Sequence, residues 1–591
     1  MLTCDEDPAA SLSGRFVILK SLNTFARRSL AAVGALTIVS CSSSSTTPAA
    51  APGSVKTLLS QKVKHVFVIV QENHSFDNYF GTYPGMPGQT VENLGTALAK
   101  ASENQYDPAT GSTVGPFTAD DPHLSGGDQS TIGTDVKIDG GKMDNWIADQ
   151  EYGPTLAPVP VSAATHSTAL QVMAVEDCNT IPYLWYYANK FTLFDHYFQA
   201  DTGPSTPGNI QLFAAQTGQS ELASGKGTSS GATGTDGVPI INDDNPPPSI
   251  VPSVFAYTGD AATYQSYATM PVLLNPAEDA AASFTGFIPD DLSLEGKSTR
   301  PSIPWAWYEE GLTTGTGLVA HHVAPLYFDY VQHNASFYNN LQDNTPNTGI
   351  IPQLKNGTLA SSGVYWIKGA NTTQFGYQPA NGDQRFLGDD DHPGTGNSDH
   401  QIAEAYVATV INTIAQSKYW PDSVIILTWD DMGGFYDHVP PARYENCPTA
   451  GGQPCGDGPR VPMLVISPFA KNGVVVHDYN DAVSVSKFIE EAFNLPTLGS
   501  LPDESPYEPE GPRDINSAIG DLTGALDPAK LSGASAPNPP SLAIIQSPSV
   551  PPAANCSTLG MTPSPVLPSP PAGYIPLSKL RSVPAQNDEN D

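Results

Sequence analysis

With 591 residues, 39% of them hydrophobic and 9% aromatic, the chain can bury one large core or several, and its composition is globular rather than fibrous. A formal charge of −34 without a basic patch argues against nucleic acid as a partner, and an anionic ligand would need positive charge from an ion, a helix start or a few Arg and Lys. The 52 Gly and 56 Pro call for long loops and at least one irregular tail.

The first segment, FARRSLAAVGALTIVSC (Phe25–Cys41), has a basic pair, an apolar run too short to span a bilayer, and a cysteine. This pattern predicts an export signal over residues 1–40. IVSC resembles a lipobox, which makes Cys41 a lipid anchor to a membrane, and Arg27-Arg28 resembles a twin-arginine signal. The expected location is therefore the periplasmic or outer surface of the cell. The plainer alternative is a cytosolic chain with a chance apolar stretch. Residues 41–61, with SSSSTTPAAAPGS (Ser42–Ser54), read as a flexible linker.

Residues 62–526 read as one catalytic domain. HVFVIV (His65–Val70), VIILTW (Val424–Trp429) and PMLVIS (Pro462–Ser467) are continuous apolar runs of strand length, as expected for parallel strands covered on both faces. Asp399–Gln416 and Val483–Asn494 carry apolar residues at helical spacing. Strands alternating with helices predict an α/β three-layer sandwich with a mostly parallel central sheet. Two Gly/Ser/Pro-rich stretches, 88–164 and 219–308, read as long loop insertions. Within the second, WAWYEEG (Trp305–Gly311) is either a cage for a choline head group or aromatic core. Cys447 and Cys455 close a short loop and read as a disulfide, whereas Cys178 and Cys556 have no assignment. Residues 527–591 form a Pro-rich tail, coreless or draped along the surface.

The chemistry-bearing groups sit at strand ends. HVFVIV runs straight into Gln71-Glu72-Asn73, and VIILTW into Asp430-Asp431. Ligands bind beyond the carboxyl ends of strands in open α/β sheets, and carboxylates gathered there need a cation between them. The plainer alternative is that these acids cap the helices that follow. GPSTPGNIQLFAAQ (Gly203–Gln216) places Ser205 and Thr206 at a helix start suited to an oxyanion, although either could be an ordinary N-cap. His123, His321, His322, His392, His400 and His438 lie in loop stretches where catalytic groups concentrate. In QENHSFDNYFG (Gln71–Gly81), Asp77 and Asn78 are expected to build the turn, Phe76, Tyr79 and Phe80 to pack it, and His74 to support it.

ENHSFDNYFGTYPG, GPSTP, DDDHP and TWDDMGGFYDHVPPAR occur in the order found in the bacterial phosphoesterase family of non-specific phospholipases C and acid phosphatases, which this chain resembles over about residues 62–500. The resemblance implies a fold similar to the alkaline phosphatase superfamily. It implies one divalent metal ion on Glu72, Asn73, Asp430 and Asp431, Ser205 as nucleophile, and active-site histidines at His123, His392 and His322. His123 would bind phosphoryl oxygens, and His392 or His322 would protonate the leaving group. The turn reads P-G-N where the family has P-N, which leaves the role of Asn209 open. Ser in GPSTP and the short DDMGG are closer to the acid phosphatase branch, so an exported phosphomonoesterase with a phosphoseryl intermediate is expected. The alternatives are a phospholipase C acting on phosphatidylcholine-type lipid, and a non-catalytic cation-binding surface lipoprotein.

Overall fold

The computed structural model describes residues 54–98, 103–119, 121–218, 240, 242–243, 245–247, 264–265, 267–275, 300–394, 396, 398–442, 456–501 and 512–580. The expected signal segment, the Cys41 anchor and the Cys447–Cys455 pair lie outside these residues.

The core is an eight-stranded mixed sheet. In chain order its strands are β1 (His65–Gln71), β2 (Thr192–Phe194), β3 (Trp305–Glu309), β4 (Leu341–Asp343), β5 (Gly363–Lys368), β6 (Ser423–Trp429), β7 (Met463–Ile466) and β8 (Val474–Val476). They lie side by side as β8-β2-β7-β6-β1-β5-β3-β4. Every pairing is parallel except those of β7, which runs antiparallel to both β6 and β2. The apolar run containing β7 is thus not the parallel strand the sequence suggested. No helix is described between the end of β6 and β7, and a parallel return would need a crossover connection, usually a helix. All residues of β1, β3, β5, β6 and β7 are buried, so both faces of the central sheet are covered.

Five helices matter to the site and its support: α1 (Val55–Lys62), α2 (Phe76–Phe80), α3 (Ser205–Ala214), α4 (His400–Gln416) and α5 (Val483–Phe493). Helix α4 starts where expected because the Asp399 carboxylate accepts from Gln401 N and Ile402 N. Helix α5 ends where Asn494 takes a left-handed conformation (φ 51°). No described helix is long and apolar enough to cross a membrane.

The WAWYEEG stretch belongs to the sheet rather than to an insertion. Trp305 and Trp307 are buried in β3, and Phe213 of α3 packs edge-on against Trp307 (5.8 Å) and Trp366 of β5 (5.4 Å). These aromatics anchor α3 to the sheet and cannot cage a head group.

The tail is draped along the domain. Asn412 of α4 exchanges hydrogen bonds with Ile545 N (2.9 Å) and O (2.8 Å), and Trp420 Nε1 donates to Asn538 O (3.2 Å). Cys178 and Cys556 form a disulfide, and Leu577 and Leu580 pack on Phe386.

Candidate active site

Gln71 and Trp429 are the final paired residues of β1 and β6. The next two residues of each strand, Glu72-Asn73 and Asp430-Asp431, therefore leave the sheet side by side, and all four are buried. Asn73 N donates to Asp430 Oδ1 (3.2 Å), locking one turn to the other. Asn73 itself is left-handed (φ 62°), a costly conformation for a residue with a side chain. Gly433 fits beneath it, since a Cβ there would lie 1.9 Å from Asn73 O.

Helix α3 delivers the hydroxyl. Pro204 holds the cap position without a side-chain cap bond, and Ser205 opens the helix, so neither Ser205 nor Thr206 acts as an N-cap. Ser205 Oγ instead lies 2.8 Å from Asp431 Oδ2 and 2.9 Å from Asn73 Oδ1. A Cβ on Gly208 would lie 2.6 Å from Asp430 O, so only glycine lets the helix approach the strand end this closely. Asn209, left open by the sequence, donates to Asp430 Oδ2 (2.8 Å) and to Ser205 O (2.9 Å), tying the start of α3 to the carboxylate.

Two of the three expected histidines join this group. His322 Nδ1 is 3.3 Å from Glu72 Oε1, while its Nε2 is buried without a hydrogen-bond partner. Burial, with His321 and His392 nearby, pushes its pKa well below the usual imidazole range. His392 stacks parallel to it at 6.3 Å, and its Nδ1 lies 2.7 Å from Pro393 O. His123 is placed differently. Its Nδ1 is 2.8 Å from Asp121 Oδ1, its Nε2 is 2.9 Å from Asp399 Oδ2, and Phe386 lies against its ring (4.1 Å). Burial lowers its pKa, but the hydrogen bonds to Asp121 and Asp399 outweigh it and raise the value to about 9.

The other polar groups of QENHSFDNYFG are structural. His74 lies between Tyr79 (4.1 Å) and Phe435 (5.0 Å), with Nδ1 on Asn78 Oδ1 (2.6 Å). Ser75 caps α2, and Asp77 pairs with Arg460 (3.0 Å) and His438 (2.6 Å), which removes His438 from the catalytic candidates. His400 lies edge-on to His74 (4.5 Å) with Nδ1 on Glu176 (2.7 Å).

Three residues at the site escaped the sequence reading. Lys368, the last residue of β5, contacts Glu72 Oε1 and lies 3.9 Å from Asp430 Oδ2. The rule that found the other two strand ends would have found it, because GVYWIK is likewise an apolar run ending in a charge. Gln129 Oε1 lies 2.8 Å from Asn73 Nδ2. Asp243 Oδ1 accepts from Thr206 N at 2.8 Å. Both come from the Gly/Ser-rich stretches, which carry no periodicity to mark them.

The donor set fits a divalent cation. Burial raises the pKa of Asp430 and raises that of Asp431 well above the carboxylate range, each charge also opposing its neighbour in Asp431's case. Asn73 Oδ1 faces oxygens on three sides: Ser205 Oγ at 2.9 Å, Glu72 Oε2 at 2.8 Å and Asp430 Oδ1 at 3.3 Å. The side-chain oxygens of Glu72, Asn73, Asp430 and Asp431, gathered in one buried place, are the hard donors a divalent cation takes.

The family model described as "Phosphoesterase family" matches residues 63–496. The chain is similar to "Phospholipase C B" of Mycobacterium tuberculosis, 23% identical over 517 residues covering 80% of each chain. It is similar to "Non-hemolytic phospholipase C" of Pseudomonas aeruginosa, 24% identical over 86% of this chain and 64% of that one. A protein of the same name from Burkholderia pseudomallei is 23% identical over 81% of this chain and 61% of that one. The chain thus spans less than two thirds of the last two.

Proposed function

The chain belongs to the phosphoesterase family and is a hydrolase acting on phosphoric ester bonds, and from that premise we propose that it transfers the phosphoryl group first to Ser205 and then to water. The observation that carries this is the position of Ser205 Oγ, 2.8 Å from Asp431 Oδ2 at the start of α3.

In this reading one divalent ion is held by Glu72, Asn73, Asp430 and Asp431. When bound, it supplies neutralisation of the phosphoryl oxygens and lowers the pKa of the Ser205 hydroxyl. Asp431 accepts the Ser205 proton as Oγ forms its bond to phosphorus. The bond to the leaving oxygen breaks, and His392 donates the proton that the leaving oxygen takes. His322 has an unpartnered Nε2 and a pKa pushed down by burial, so it suits the second step better than the first. It takes a proton from the water that attacks phosphoserine; the bond from phosphorus to Ser205 Oγ breaks, and Asp431 returns its proton to that oxygen to restore the hydroxyl. Lys368 balances part of the negative charge around Glu72. Both ring nitrogens of His123 face carboxylates, so we assign it to holding its loop against the start of α4 rather than to phosphoryl binding.

The relatives' names bring phospholipid diesters forward as substrates, and we place these ahead of phosphomonoesters, reversing the order drawn from sequence. The covered faces of the sheet support the three-layer arrangement of the alkaline phosphatase superfamily. The Cys178–Cys556 disulfide supports export to an oxidising compartment.

The test is hydrolysis of nitrophenyl phosphate and nitrophenyl phosphorylcholine by the purified protein, with and without added divalent ions. Ion-dependent release of nitrophenol is expected. Failure on both substrates with every ion offered sinks the proposal and returns the site to a structural cation site.

A further inference from the structure

Asp243 reaches the nucleophile from the stretch between α3 and β3. Its carboxylate sits on Thr206 N (2.8 Å), the first amide after Ser205. The opening amides of a helix have no partner inside it, and they are where an approaching anion is held. Asp243 therefore occupies an anion position one residue past Ser205, within the electrostatic reach of Asp430, Asp431 and His392; burial raises its pKa to about 7, so it is a carboxylate at about pH 8.

The charge of the substrate decides how such a carboxylate is felt. During attack, phosphorus carries three oxygens besides the incoming and leaving ones. In a phosphomonoester above its second pKa of about 6, two negative charges are spread over all three. In a phosphodiester a single charge rests on two of them, and the third is an uncharged ester oxygen. A carboxylate fixed at the helix start opposes a third charged oxygen and tolerates an ester oxygen.

We propose that Asp243 is a specificity-determining residue, selecting monoanionic phosphodiesters over dianionic phosphomonoesters. The inference rests on the reading of the Ser205 site as a phosphoesterase and names the charge class of its substrate.

Asp243→Asn keeps an acceptor for Thr206 N and removes the charge, whereas Asp243→Glu keeps the charge. Binding of inorganic phosphate and of dimethyl phosphate is measured by calorimetry at about pH 8, with the same divalent ion present. Turnover is measured on nitrophenyl phosphate and on methyl nitrophenyl phosphate. In Asp243→Asn, both the affinity ratio and the rate ratio should move toward the dianion by about tenfold or more, the size expected for one nearby unit charge in a partly screened site. Asp243→Glu should remain within about threefold of the parent. Ratios unchanged in Asp243→Asn, or no binding of either anion by any variant, overturn the proposal. A shifted binding ratio without turnover in the parent would instead refute the phosphoesterase reading and leave the anion selection standing. Turnover with unshifted ratios would do the reverse.

Discussion

Gln71 and Trp429 face each other as the last pair between two parallel strands, and the four expected metal ligands are the two residues that follow each of them. Residues 357 positions apart thereby share one turn, with Asn73 N on the Asp430 carboxylate. Register, rather than loop geometry, builds the candidate ion site.

Ser205→Ala should lower turnover by about 1,000-fold or more while changing unfolding free energy by less than about 1 kcal/mol. The hydroxyl sits among oxygens and contributes little to folding. Steady-state rates and a urea titration measure both quantities. Retained turnover would move the nucleophile away from Ser205.

Asp430→Asn should abolish ion-dependent stabilisation. An ion bound to the native state at about a hundredfold its Kd adds about 3 kcal/mol. The parent's melting temperature should rise on adding the ion and fall with chelator, whereas the variant's should respond to neither. An equal response in both proteins removes Asp430 from the ligand set.

Gly433→Ala should be severe. Its φ of 60° disfavours any side chain, and the added methyl would meet Asn73 O. A loss of about 2–4 kcal/mol is expected, together with weakened ion binding because Asn73 would move. Thermal melts and an ion titration on the variant measure the two effects. A fully stable variant with normal ion binding would refute the role given to this turn.

His123 predicts a pH dependence of stability. Its folded pKa of about 9 lies above the ordinary 6.5, so the folded state binds the proton more tightly than the unfolded one. The stabilisation is complete below about pH 6.5, fades as pH rises through about 9, and amounts to about 3 kcal/mol. The stability gap between the parent and His123→Gln should be larger at about pH 6 than at about pH 9.5 by that amount. A gap independent of pH would mean that His123 is not held as imidazolium.

Removing the disulfide with Cys556→Ser should cost on the order of 2–5 kcal/mol, because it closes a loop of 378 residues. Denaturant unfolding of variant and parent measures it. A smaller loss would mean that the side-chain bonds from Asn412 and Trp420 hold the tail without help.

Much of this was legible in the sequence where one residue carries one signal. The runs of β1 and β6 announce buried strands, and the acids just past them announce a site. Other features depend on partners that sequence does not pair. The direction of β7 follows from how its connection returns. Trp305 and Trp307 read equally as cage or core until Phe213 is seen against Trp307. His123 looks like the other loop histidines until Asp121 and Asp399 are found on its two nitrogens. Gln129 and Asp243 lie in stretches with no periodicity, so only the packed chain brings them to Asn73 and Thr206.

The strand order has a consequence for how the protein is made. β2, near residue 193, lies between β7 and β8, which follow it by some 270 residues or more. As the chain emerges from the ribosome, β2 has neither neighbour and the sheet stays open along that edge. Closure must wait until β7 and β8, within residues 463–476, have been synthesised. Until then the exposed edge is a hazard for mispairing, and a chaperone engaged early in translation would find its substrate there.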